Sequence, residues 1–147
     1  MNKSNAVTIG LLAIALLLAA PNLIHLIRGP APTPDLFAQG YTLREAGELG
    51  AGSGKPVLVL VTADWCGACQ SLKRGALSDG RVASWIGERT VPVYLEEGVD
   101  DEQIASLPVR AYPTTLVIEE GRVLGSVVGN DDPEGYLGRL RAIVEGS

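Results

Sequence analysis

Histidine is nearly missing from this 147-residue chain: His25 is the single one, and it lies inside an apolar stretch. Without a second histidine near a nucleophile, Cys-His and Ser-His catalysis is excluded. Cysteine is almost as scarce, with Cys66 and Cys69 alone, three residues apart. A zinc site of three or four protein ligands would have to be completed by carboxylates, so no metal site is expected and nothing requires a cofactor. Basic side chains are the minority, 12 against 17 acidic, for a formal charge of -5. A nucleic-acid partner needs a basic face to neutralise phosphates and is therefore not expected. Apolar residues are not lacking: 46% of the chain is hydrophobic and 20% charged, which is the composition of a packed core.

The apolar residues begin early. Positions 6–27 run for 22 residues, broken only by Thr8, Gly10, Pro21, Asn22 and His25. As a helix that run would span about 33 Å, enough for a bilayer core of roughly 30 Å. A cleaved signal peptide and an uncleaved anchor compete for it. Cleavage after Ala20 puts Leu18 at the minus-three position and Pro21 just after the cut, both poor for processing. There is no twin-arginine pair and no cysteine to carry a lipid, so an anchor over residues 1–27 is the expectation. Cleavage would instead give a secreted protein. Lys3 and the terminal amine precede the run, whereas Arg28 alone follows it before Asp35. That bias keeps the N-terminus in the cytoplasm and places the remainder on the exported, periplasmic or extracytoplasmic side. Residues 28–35, RGPAPTPD, carry three prolines and are expected to form an extended tether, with the folded domain at 36–147.

That domain holds 10 basic and 16 acidic side chains and shows no internal repeat. Thr42-Leu43-Arg44-Glu45 has the form of a capping box and opens a helix expected over Leu43 to Leu49. Val57 to Thr62 (VLVLVT) is an unalternating run of β-formers, as in a central strand covered on both faces. A helix follows from Cys66 to Gly75, and Ser78-Asp79 starts another. Val91 to Leu95 is a strand that admits Pro92 only near its start or at an open edge. Asp101 to Leu107 is a short helix. Thr114 to Ile118 and Val123 to Val128 form a hairpin, and Asp132-Pro133 opens the last helix. The order implies an α/β fold: a central mixed sheet with helices on both faces.

The chemistry centres on Cys-x-x-Cys at the strand-to-helix junction. Thiol–disulfide exchange needs a thiolate, and a free cysteine ionises only near pH 8.5 (about 8.5). A helix N-terminus favours the anion, so Cys66, exposed at that terminus, is the expected nucleophile. Cys69, one turn on, is close enough to attack the mixed disulfide that Cys66 forms. Half of a zinc site and a purely structural bridge are the alternatives. The first lacks partner ligands, and the second would close too small a loop to constrain the chain much.

These residues resemble a known family. Ala63-Asp64-Trp65-Cys66-Gly67-Ala68-Cys69 after a buried strand looks like the active site of the thioredoxin superfamily. Val109-Arg110-Ala111-Tyr112-Pro113-Thr114 resembles its second signature, a loop with a cis-proline, and Gly129 matches a further family glycine. Lys55-Pro56 and Ser78-Asp79-Gly80-Arg81-Val82 narrow the likeness to the C-terminal domain of bacterial transmembrane thiol-disulfide interchange proteins, the DsbD type.

The resemblance implies a thioredoxin-like fold over Thr42 to Val144. It also implies an attacking Cys66, a resolving Cys69 and a substrate-binding rim of Trp65, Tyr112 and Pro113, with Tyr112–Pro113 cis. Pro113, lacking an N–H, would present no donor to the sulfurs; the alternative to this cis-proline reading is an ordinary strand-entry turn. Many thioredoxins bury an acid six residues before the first cysteine, whereas this chain has Leu60, leaving Asp64 as a candidate only if it turns inward. Gly67-Ala68 stands between the cysteines, and the absence of histidine there argues for a weak oxidant. The expected function is a membrane-tethered, monomeric thiol–disulfide oxidoreductase working on protein thiols and disulfides with an upstream redox partner, as reductase or electron relay. A disulfide-forming oxidase and a non-catalytic binding or assembly module are the alternatives.

Overall fold

Residues 29–146 are described in a computed structural model, and their packed unit starts at Ala31. The expected anchor over 1–27 lies outside the described residues. Among those described, no helix is long and apolar enough to cross a membrane. The elements are α1 (Leu43–Ser53), β1 (Val57–Thr62), α2 (Gly67–Arg74), α3 (Gly80–Arg89), β2 (Val91–Glu96), α4 (Asp101–Ala105), β3 (Thr114–Glu119), β4 (Arg122–Val128) and α5 (Pro133–Val144). Short 3-10 turns lie at Asp35–Phe37 and Ala76–Ser78.

The strands form one mixed sheet in the order β2-β1-β3-β4, with β1 parallel to β2 and antiparallel to β3. β1 is buried throughout because both its faces are covered. Leu58 and Leu60 enter a core with Leu72 of α2, Val82 and Ile86 of α3, and Leu140 of α5. Val57, Val59 and Val61 point the other way, into a core with Ala46 of α1 and Ile104 of α4. Side-chain alternation along the strand thus divides one apolar run between two cores. Pro92 sits in β2, an edge strand. The Val91 N–H points inward to Pro56 O at 2.9 Å, so the next residue's nitrogen faces the open edge, where a missing donor costs no ladder bond. The β3–β4 hairpin turns on Glu120 and Gly121, both at positive φ (50° and 78°), the signature of a type I′ turn.

Several segments differ from expectation, and α4 ends at Ala105 rather than Leu107. α1 continues four residues past Leu49, to Ser53, despite Gly50 and Gly52. Its capping box is complete, and a Cβ at Gly50 would lie 2.8 Å from Lys55 O, so this glycine permits close packing rather than ending the helix. Gly54, left-handed at φ 68°, ends it. The packed unit also begins five residues before Leu36, inside the proline-rich stretch. Ala31 is buried and its N–H donates to Gln70 Oε1; Phe37 is buried beside the Tyr94 ring. Gln70 Nε2 in turn donates to Asp64 O at 3.0 Å, joining this strap to the loop before Cys66.

Tyr136 of α5 is fully buried, with its hydroxyl 2.7 Å from Thr115 Oγ1. Burial pushes its ionisation up to about 12. An unfolded tyrosine ionises near 10, so Tyr136's contribution is complete below about pH 10 and is lost as pH rises from there toward 12. The loss is on the order of 3 kcal/mol. Tyr136→Phe is expected to flatten this part of the alkaline stability profile, measured by urea unfolding at pH 8 and pH 11. An unchanged profile would remove Tyr136 as its source.

Candidate active site

β1 delivers the chain to a tight loop, Ala63–Trp65, and then to α2. The Cys66 N–H donates to Ala63 O at 3.2 Å, which turns the backbone out of the strand. Cys66 is the N-cap of α2, with extended φ and ψ of -85° and 108°. Its Sγ accepts the Cys69 N–H at 3.1 Å, so the sulfur lies against the unpaired amides of the first turn. Those amides and the helix dipole stabilise a sulfur anion at this position. Cys66 and Cys69 are joined as a disulfide, with their Cα atoms 5.2 Å apart.

Cys66 is less accessible than the sequence suggests. It is 6% exposed and Cys69 only 1%, and Tyr112 packs against the cluster they form with Ala63. Trp65 stands out at 73% exposure. Its ring meets Tyr112 edge-on, centroids 6.0 Å apart, and its indole N–H donates to the Glu97 carboxylate. Desolvation, then the carboxylates of Glu97 and Asp101, push the Tyr112 hydroxyl above the usual tyrosine range, so it stays neutral.

The Tyr112–Pro113 bond is cis, and Pro113 is buried. Thr114 Oγ1 donates to Ala111 O at 2.7 Å and closes the turn. Pro113 O accepts the Gly129 N–H at 2.9 Å, which ties this loop to the end of β4. Gly129 has φ 86°, a conformation that costs any side chain about 1 kcal/mol or more. Gly129→Ala is therefore expected to lower the unfolding free energy by at least that amount. Unfolding in urea reads the effect, and an alanine variant as stable as the parent would refute it.

The structure thus brings Trp65, Cys66, Cys69 and Tyr112 into contact and sets Pro113 next in the chain. Asp64 keeps its side chain 55% exposed, and Leu60 is buried and apolar. Three neighbours had no signal in the sequence. Glu97 reaches Trp65 across 32 positions, Gln70 holds the loop, and Lys73 is buried on α2. A charged residue in a loop or a helical turn reads as solvated until the fold covers it.

The model of the thioredoxin-like domain family matches residues 43–143. The chain belongs to that family. This thioredoxin-like protein is similar in structure to a thioredoxin from Thermus thermophilus, with a TM-score of 0.61 at 24% identity, covering 70% of this chain and 84% of that one. It is also similar to the DsbH oxidoreductase, with a TM-score of 0.62 at 20% identity over 78% and 91% of the two chains. A candidate disulphide-isomerase from Bacteroides thetaiotaomicron gives a TM-score of 0.61 at 27% identity over 73% and 91%. No curated protein sequence matches the chain. A family domain with a Cys-x-x-Cys pair at bonding distance makes this thioredoxin-like protein a thiol–disulfide oxidoreductase.

Proposed function

We propose that the protein is a membrane-tethered reductase or electron relay for protein disulfides, with its domain on the exported side. The observation that carries the reading is the Cys66–Cys69 disulfide at the head of α2, flanked by exposed Trp65 and by the cis Tyr112–Pro113 loop. Cys66 is the attacking sulfur because its Sγ caps the helix; Cys69, deeper, resolves. Trp65 and the Tyr112 backbone form the rim on which an extended substrate segment docks, with Pro113 beside it. The apolar run at 6–27 and the charge bias around it support the anchor and its orientation. Lys55-Pro56 and Ser78–Val82 support a likeness to the DsbD C-terminal type, in which an upstream redox partner supplies the electrons. The working unit is a monomer.

The test is insulin reduction by the full-length chain, coupled to a glutathione titration of the Cys66–Cys69 couple. Insulin should be reduced, and the potential should fall nearer the thioredoxin value of about -270 mV than the strong-oxidant value of about -120 mV. A value near the latter would make the protein an oxidase instead. Substrate binding without reduction would make it a recognition module. Labelling of reduced Cys66 in intact cells by a membrane-impermeant thiol reagent checks the exported location.

A further inference from the structure

Lys73 is the one charged side chain buried among the described residues, at 2% exposure. An ammonium left unpaired in an interior costs several kcal/mol, so its surroundings must be specific. Its Nζ donates to Tyr94 Oη at 3.2 Å and lies 3.8 Å from Asp64 Oδ1. Tyr94 Oη in turn donates to Glu96 Oε2 at 2.7 Å. Strand register builds this cluster: Leu60 pairs with Tyr94 and Thr62 with Glu96, so all four share the face of the sheet beneath α2. The Thr62 hydroxyl on that face is buried without a hydrogen-bond partner.

Lys73 belongs to the last turn of α2, but its ammonium reaches back toward the loop that precedes Cys66. Helical side chains lean toward the N-terminus, and Nζ reaches Asp64, two residues before Cys66. Cys69 and Lys73 are both buried on α2 at i and i+4, a spacing that brings their Cβ atoms to about 6 Å. Leu60 offers no carboxylate beneath α2. Other charged groups stand around Lys73. Asp64 is half in water, Glu96 stands beyond the Tyr94 hydroxyl, and Asp35 and Arg74 line with Lys73 the cleft along the strap.

We propose that Lys73 is an electrostatic positioning residue for the resolving step, stabilising the Cys69 thiolate from inside, with Tyr94–Glu96 and Asp64 holding its ammonium in place. The inference rests on the thiol–disulfide reading above and names what drives its second half. In the mixed disulfide, Cys69 loses its proton to water and its thiolate attacks Cys66 Sγ. The Cys66–Cys69 bond forms as the bond from Cys66 to substrate sulfur breaks. The substrate thiolate leaves with the electron pair and takes up a proton, so two electrons have passed from the dithiol to the substrate. A nearby positive charge favours the anionic form of the attacking sulfur.

The experiment uses the full-length chain in a Cys66→Ser background, in which the 240 nm absorbance of Cys69 thiolate is followed against pH. Lys73→Met should move the midpoint to higher pH, while Lys73→Arg, which keeps the charge, should leave it near its original position. In the otherwise native chain, Lys73→Met should slow resolution at pH 7 by about tenfold and leave formation of the mixed disulfide unchanged. Tyr94→Phe keeps the ring but releases Nζ, and should shift the midpoint in the same direction by less. An unmoved midpoint in Lys73→Met overturns the proposal, even if that variant is less stable. Should Lys73→Met not fold, an unmoved midpoint in Tyr94→Phe overturns it. A chain that fails to reduce insulin while its Cys69 midpoint follows Lys73 would refute the reductase reading and leave this one standing.

Discussion

Cys66→Ser is expected to bring insulin reduction by the full-length chain down to the uncatalysed background. No partial activity should survive, because a serine oxygen forms no disulfide with the substrate and no other sulfur occupies the helix cap. Cys69 cannot substitute. It is 1% exposed and lies a turn inside α2, whereas Cys66 Sγ is held against the first-turn amides. Loss of fold is not the cause. The bridge closes only a four-residue loop, the low end of what a disulfide contributes, and serine retains an acceptor for the Cys69 N–H. Circular dichroism should therefore show a folded variant, with its urea midpoint compared against reduced parent. Residual turnover above background, in a folded variant, would remove Cys66 as the nucleophile.

Cys69→Ala carries an equally large effect of a different kind: turnover stops, but substrate stays on the protein. Cys66 can still attack, and the mixed disulfide then has no internal thiol to break it. In the native chain the Cys69 sulfur is held one turn away, Cα to Cα 5.2 Å, at an effective concentration no external thiol reaches. Non-reducing electrophoresis should show adducts that vanish with dithiothreitol and are absent from a Cys66→Ser, Cys69→Ala double variant. Adducts equally abundant in both variants would place the attack elsewhere. Their mass spectrometry would identify the substrate and the upstream partner.

Elements specified by contiguous residues are legible in the sequence. VLVLVT can be covered on both faces only as a central strand, and Asp132-Pro133 caps α5 through the Glu134 and Gly135 N–H groups, both at 3.0 Å. The Cys66–Cys69 spacing also identifies its loop from local chemistry, whereas the Tyr112–Pro113 loop is legible only through the family resemblance. What stays hidden depends on partners distant in sequence. The stretch RGPAPTPD has the composition of a free tether, yet Ala31 is buried because Gln70, 39 positions away, accepts its N–H. Gly50 has a helix breaker's propensity, but the approach of Lys55 O makes it the residue that fits. Lys73 reads as a solvated helix charge until β2 sets Tyr94 against it. The cluster of Ala63, Cys66 and Cys69 is likewise packed by Tyr112, a residue from a distant loop.

The proline at the second position of β2 bears on how these molecules behave together. A four-stranded sheet with two open edges is at risk of pairing edge to edge with its neighbours. On the β2 side the outward nitrogen of Pro92 has no hydrogen to donate, so a foreign strand laid there meets a gap in the ladder. On the β4 side the neighbouring ladder already slips at Val117/Ile118, and that irregularity twists the edge away from a flat template. The sheet edges are therefore poor matches for each other, and self-association by strand addition is discouraged at both ends of the sheet.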